Sequence, residues 1–330
     1  MYGPASLAER RIYYREEWSE KDLPDFIADG ITKREFGFDH IGNGPNDRYK
    51  TFKGTETLRR FLRYKTPFAA YISVAFYQNP RKRGAWQKAE YIFDIDAKDL
   101  PIRSCGCDGV CEICLAEALE RVNIMIDTLK GDLGLKNIHL IYSGRGFHIR
   151  ILDPVMMEAD SDLRAEVLKY VAGANVPRSQ YPNPTPGGQP YNFDHFIIPI
   201  AYPKVFTEKL KYNILHLRGD EEIDGINQRL MKDLVKNRDF LLDDDWVGFK
   251  KNIGPRRYKD MVNAMARVNL ATIDAKVTID LKRILRLPSS LHSKVSMKCV
   301  EVKNPETFDP FKHAVPKFVY ERKDESIASK

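Results

Sequence analysis

Two aspartates, Asp94 and Asp96, are separated by one residue in the run Tyr91-Ile92-Phe93-Asp94-Ile95-Asp96. Aromatic and β-branched residues surround them, so the run reads as a β-strand. Side chains alternate across a strand, which puts both carboxylates on one face and Tyr91, Phe93 and Ile95 on the other. Neighbouring carboxylates repel each other, and a divalent cation between them removes that cost. Hard oxygen ligands at this spacing suit Mg²⁺ or Mn²⁺, the ions of phosphoryl-transfer sites. The plain alternative is a solvated strand end with an incidental Asp-x-Asp.

Three further segments carry chemistry. In Ser143-Gly144-Arg145-Gly146-Phe147-His148 the glycines allow a tight turn and close backbone approach, while Ser143 and the backbone N–H groups suit phosphate oxygens. Arg145 adds a fork of donors, and His148 and Arg150 share a strand face beyond the turn. No Gly-Lys-Ser/Thr follows, so this is not a Walker loop. Downstream, Lys282 to Lys294 holds Arg283, Arg286, His292 and Lys294 among Leu285, Leu287 and Leu291. That density of cations suits phosphate, or else a solvated basic helix. Asp274 opens the strand-like alternation Ala275 to Leu281 and is a candidate third carboxylate, with Asp280 as its rival. Finally, four of the five cysteines lie at Cys105, Cys107, Cys111 and Cys114. The closing Cys-x₂-Cys is typical of tetrahedral zinc held by four thiolates; the compressed first pair is unusual and leaves open that one of the four is not a ligand. Four protein ligands leave no open position, so such a zinc is structural.

The elements needed to position these groups follow from periodicity and turn residues. Pro67 to Tyr77 reads as a strand, followed by the basic turn Arg81-Lys82-Arg83-Gly84 and the Asp94 strand. Leu115, Leu119, Val122, Ile126 and Leu129 repeat at helical spacing over about 112–131, and Gly131 and Gly134 end that helix. Asn137 to Tyr142 and Phe147 to Leu152 read as strands joined by the Ser143 turn. Leu23 to Ala28 reads as a short helix, as does Ala159 to Ala172. Val176 to Pro190, with five prolines and a Gly-Gly pair, is a loop, and 205–245 is polar and helix-prone. The charged tail after about 321 is expected to fray.

The 330 residues are 43% hydrophobic and 30% charged, ordinary for a globular chain of one large or two average domains. No apolar run reaches membrane-spanning length, and the N-terminus lacks the apolar core of a signal peptide, so a cytoplasmic protein is expected. A net charge of +7 permits an acidic partner such as nucleic acid or nucleotide without requiring one. Clustered cysteines in such a chain favour metal over a disulfide framework.

Taken in order, these motifs resemble the small catalytic subunit of the archaeal–eukaryotic DNA primase family. The resemblance rests on Phe93-Asp94-Ile95-Asp96 followed by a zinc loop, on Ser143-Gly144-Arg145-Gly146-Phe147-His148, and on Asp274-x-x-Val277-Thr278. Leu285-Arg286-Leu287-Pro288-Ser289-Ser290-Leu291-His292, Phe311-Lys312-His313-Ala314-Val315-Pro316 and Arg34-Glu35-Phe36-Gly37-Phe38 extend it over most of the chain. In length the chain is like archaeal members. The resemblance implies an α/β (α+β) fold: a compact catalytic domain of mixed β-sheets flanked by helices, with a zinc module and a helical insertion. The corresponding ranges are 1–154 with a zinc loop at about 103–116, an insertion at 155–245, and the rest of the catalytic domain at 246–330. It implies Asp94, Asp96 and Asp274 as ligands of catalytic Mg²⁺ or Mn²⁺. Ser143, Arg145, His148, Arg286, His292 and Lys294 become nucleotide-phosphate residues, and Cys105, Cys107, Cys111 and Cys114 zinc ligands. Some relatives use histidine for one of these. The implied activity is two-metal synthesis of short primers from NTPs or dNTPs on single-stranded DNA during replication, beside a large regulatory subunit in a nucleoid-associated heterodimer. A primase-related repair polymerase and a non-catalytic zinc-stabilised nucleic-acid-binding subunit are the alternatives.

Overall fold

The computed structural model describes residues 3–177 and 201–328. Most of the proline-rich stretch expected to be a loop therefore lies outside the described residues. Packing divides the chain into two compact units, one from Met1–Asp94, Leu135–Arg164 and Lys276–Lys330, the other from Ile95–Gly134 and Ala165–Ala275. An insertion is defined by comparison among relatives and a compact unit by packing, so neither partition decides the other. Among the described residues no helix is long and apolar enough to cross a membrane.

The first unit is built on strands. β1 (Phe36–Asp39), β2 (Asp47–Lys50), β3 (Ala69–Ser73) and β9 (Ile284–Arg286) form one sheet in the order β2-β1-β3-β9. A hairpin joins β4 (Ala75–Asn79) to β5 (Gly84–Ala89). The second sheet has the order β10-β7-β8-β6, from β6 (Tyr91–Asp96), β7 (Ile138–Tyr142), β8 (Gly146–Ile151) and β10 (Val300–Glu301). The pairs β1–β3, β3–β9 and β7–β8 are antiparallel, with Tyr71 opposite Arg286 and Tyr142 opposite Phe147. Val74, Ala75, Tyr77, Ala89, Ile92, Val277 and Leu285 pack into one apolar cluster.

The second unit is helical. Its long helix, Glu112–Gly131, agrees with the heptad-like spacing read from the sequence. Helices Ala201–Leu215, Gln228–Asn237, Trp246–Ile253 and Pro255–Ala271 bury Phe206, Leu210, Leu234, Phe249, Met261 and Met265 in a common core.

Several local expectations are corrected. The apolar run 67–77 is two strands, because the chain bends at Val74: its N–H still donates to Arg283 O beside β9, while its carbonyl accepts from Glu90 N. The basic turn lies where expected, as a 3₁₀ turn, Pro80–Lys82, followed by Arg83 at φ +50°. Asp274 does not open a strand; the segment after it is the helix Ala275–Ile279. Val277 and Leu281 lie four apart and both pack on the apolar cluster, a spacing that fits one helical turn as well as the alternation did. The chain ends in a helix, Lys317–Ala328.

Candidate functional site

Six residues singled out for phosphate chemistry lie in the first unit: Ser143, Arg145, His148, Arg286, His292 and Lys294. The Ser143 turn is a hairpin between β7 and β8. Ser143 N–H donates to Gly146 O at 2.9 Å, and Tyr142 Oη donates to Gly144 O at 2.7 Å. Gly144 has φ +106°, and a Cβ placed there would stand 2.6 Å from His292 Cβ. Only glycine lets the turn press against His292 in this way.

The second half of the site approaches from β9. Arg286 Nε donates to Ser143 O at 2.9 Å, and its guanidinium lies 5.3 Å from the Tyr71 ring centroid. The turn after β9 is clamped from the N-terminal region: Tyr13 Oη donates to Ser289 O at 2.7 Å and Trp18 Nε1 to Ser289 Oγ at 2.8 Å. Ser289 itself has φ +75°, a strained conformation these bonds hold in place. His292 follows, with its N–H donating to Met297 O and its Nδ1 accepting from Lys294 N. An accepting Nδ1 puts the proton of the neutral ring on Nε2.

Both histidines are held neutral. Burial depresses His292 far below its ordinary value, helped by Arg286, Arg145, Lys294 and His148. Burial, Arg150 and Arg286 likewise hold His148 well below the ordinary range. The positive fields of Arg145, Arg286 and Lys294 thus all reach His292. A neutral imidazole among fixed cations donates a hydrogen bond without competing for protons, which suits anionic oxygens.

His148 Nε2 stands 3.4 Å from Asp94 Oδ1, joining the cationic wall to the first carboxylate. Along β6 the aspartates are the partly exposed residues, while Tyr91, Ile92, Phe93 and Ile95 are buried. Asp96 Oδ1 accepts from Lys98 N at 3.0 Å, capping the short turn after the strand. Asp96 and Asp274 belong to the second unit. Sequence reasoning missed Tyr71, whose place opposite Arg286 depends on strand pairing that no local pattern encodes.

In the second unit the four cysteines converge. Among the described residues they are the one group of three or more His, Cys, Asp or Glu ligand atoms all within 4.8 Å of one another. Cys105 and Cys107 Sγ are 3.5 Å apart and Cys107 and Cys114 Sγ 3.9 Å apart. A zinc tetrahedron with Zn–S of about 2.3 Å has edges of about 3.8 Å, whereas a disulfide needs about 2.05 Å. All four thiols therefore fit a metal such as zinc, including the compressed first pair. Cys111 precedes the helix Glu112–Gly131 and Cys114 sits in its first turn, where the helix dipole favours thiolate. Burial raises Cys114 to about 12. At Cys111 hydrogen bonds from Cys114, Cys105 and Cys107 outweigh burial and lower it to about 7. The loop is pinned by Arg218 Nη1 donating to Cys105 O at 2.6 Å and by Ser104 N–H donating to Glu117 at 2.9 Å.

Residues 93–303 match the model of the DNA primase small subunit family. The chain is 70% identical to the DNA primase small subunit PriS of Methanobrevibacter smithii, covering 98% of this chain and 99% of that one. It is 59% identical to the PriS of Methanothermobacter thermautotrophicus over the same shares, and 37% identical to that of Pyrococcus abyssi over 94% and 92%.

Proposed function

This chain belongs to the DNA primase small subunit family, and from that premise we propose how its residues carry primer synthesis as the catalytic subunit. The observation that carries the reading is the closure of the Ser143 turn on Arg286 and His292, next to the His148–Asp94 contact. Ser143, Arg145, His148, Arg286, His292 and Lys294 bind the triphosphate of the incoming nucleotide. Arg145 and Arg286 orient it through fixed forks of donors and offset charge that develops on the leaving phosphates. The neutral imidazoles of His148 and His292 donate to phosphate oxygens without bringing a titrating proton. No protein nucleophile is needed.

Asp94, Asp96 and Asp274 are the proposed holders of Mg²⁺ or Mn²⁺. Their oxygens are hard donors, and Asp94 and Asp96 share the partly exposed face of β6, which fits such ions. When bound, the ions activate the attacking 3′-hydroxyl and stabilise the leaving pyrophosphate. The four cysteines hold a structural zinc. Template DNA is held by its backbone, in keeping with the +7 charge, and a large regulatory subunit completes the enzyme.

The test is de novo synthesis of short oligomers from NTPs on single-stranded DNA. Asp94→Asn combined with Asp96→Asn is expected to lower it by at least about a hundredfold while the melting temperature holds. Intact synthesis in that variant would show the site assignment to be wrong.

A further inference from the structure

Three arginines of the first unit are almost wholly out of solvent: Arg34 and Arg150 at 0% and Arg164 at 1% exposure. The carboxylate among them is Glu90, also 0% exposed. Glu35, likewise buried, is taken by Arg48 and Arg83. Arg34 Nη1 lies 2.6 Å from Glu90 Oε1, and Arg150 Nη1 lies 3.4 Å from Glu90 Oε2. Two guanidinium groups thus share one carboxylate. Arg164 is satisfied differently, donating to the carbonyls of Ala89, Glu90, Met156 and Ala159. Arg34 also donates to Ser73 O at 2.7 Å. Arg150 stands apart, because none of its three guanidinium nitrogens has a hydrogen-bond acceptor among the described residues.

A buried charge without hydrogen bonds is costly, and a neutral side chain of similar volume is often more stable in its place. A fold retains such a group most readily where a ligand's opposite charge offsets the cost. Arg150 occupies β8 two residues from His148, so the two side chains leave the same strand face about 7 Å apart. Its field already acts on His148, which faces Asp94. The positive potential of the interior therefore continues into the wall of Arg145, Arg286 and His292, and a dry interior screens it weakly.

We infer that Arg150 is an electrostatic positioning residue for the nucleotide: its incompletely paired guanidinium backs the phosphate wall from inside, and the polyphosphate supplies the missing negative charge. It does not touch the substrate. Glu90 and Arg34 form the neutral pair that anchors it. The inference rests on the nucleotide-site reading above. It predicts that replacing Arg150 weakens binding in proportion to phosphate charge without weakening the free fold, as in other stability–function trade-offs.

The experiment uses the full chain and measures binding of ATP and of AMP with Mg²⁺ present, together with melting temperature. Arg150→Met is expected to bind ATP about tenfold more weakly, to change AMP binding far less, and to melt at the same or a higher temperature. Arg150→Lys should recover part of the ATP affinity. A lower melting temperature with an unchanged ATP-to-AMP ratio overturns the inference, since that is what an ordinary structural arginine would give. Glu90→Gln keeps the cation and removes its counter-charge, so it should melt lower, bind ATP at least as tightly and gain more from added ATP. If Arg150→Met does not fold, loss of ATP affinity in Glu90→Gln overturns the inference instead. Arg145→Met serves as the control for the site itself. Unchanged ATP binding in both Arg145→Met and Arg150→Met overturns the site reading and the inference with it, whereas a loss in Arg145→Met alone overturns only the inference.

Discussion

Gly144→Ala is the smallest change that tests how the site is assembled. Two costs add. The first is backbone: φ +106° lies in the region that L-residues rarely adopt, and holding alanine there costs on the order of 1–3 kcal/mol. The second is contact: the new methyl would stand 2.6, 2.8 and 2.9 Å from His292 Cβ, Cδ2 and Cγ. Rotation about χ1 does not move Cβ, so the histidine cannot simply swing away. His292 is also tied by its N–H to Met297 O at 2.8 Å and by Nδ1 to Lys294 N at 3.1 Å. The turn is equally constrained on its own side, by Tyr142 Oη at 2.7 Å and Arg286 Nε at 2.9 Å. Relief requires the turn and the His292 segment to separate, an overpacking cost of about 1–3 kcal/mol. Gly44 provides the control, with φ +103° and, among the described residues, no atom within 4 Å of its would-be Cβ. Gly44→Ala carries only the backbone cost, and both residues belong to the first unit. Urea denaturation should therefore show Gly144→Ala less stable than Gly44→Ala by about 1–3 kcal/mol. Nucleotide binding should fall in Gly144→Ala and hold in Gly44→Ala. Equal destabilisation by the two variants, with nucleotide affinity intact in both, would refute the reasoning that Gly144 exists to admit His292.

Other consequences can be measured separately. Arg286→Met should weaken NTP binding on the order of a hundredfold and Arg286→Lys about tenfold, because lysine restores charge but not the Nε donor to Ser143 O; full affinity in Arg286→Lys would show that only the charge matters. Cys114→Ser should drop zinc from one equivalent per chain towards none by elemental analysis, and a full equivalent retained would remove Cys114 from the ligand set. Glu9 is lowered from 4.5 to about 2, chiefly by the hydrogen bond from Arg322, against the opposing effect of burial. Its folded value lies below its unfolded one, so its stabilising contribution is complete above about 4.5 and is lost as pH falls towards 2. Glu9→Gln should flatten the acid limb of melting temperature against pH between those values, and an unchanged limb would show the pair contributes nothing measurable.

Much of the site's chemistry was written locally. Alternation along Tyr91 to Asp96 put both aspartates on one face, and the long helix after the cysteines followed from apolar residues at helical spacing. The turn at Ser143 was legible because glycine's freedom at φ above zero is a local property. The cysteine spacing pointed to metal, and the folded loop brings all four sulfurs together. Where reading failed, short segments met more than one period. Ala275 to Leu281 alternates like a strand, yet Val277 and Leu281 also match a helical turn, and packing on the apolar cluster decided between them. The run 67–77 looked like one strand because nothing in its composition records that Val74 exchanges hydrogen bonds with Arg283 and Glu90.

The sequence by itself determined residue types, local periods and the order of motifs, and through them the family. Tertiary structure alone decided which distant residues meet: Arg286 on Ser143, His292 on Gly144, and Arg34 with Arg150 on Glu90. The physical reason is that side-chain alternation and turn geometry act over a few residues, whereas charge and close packing act through space. A lone aspartate pair or a glycine turn has no chemistry of its own. It acquires one when burial removes water and sets the Ser143 turn against Arg286 and His292, with His148 beside Asp94.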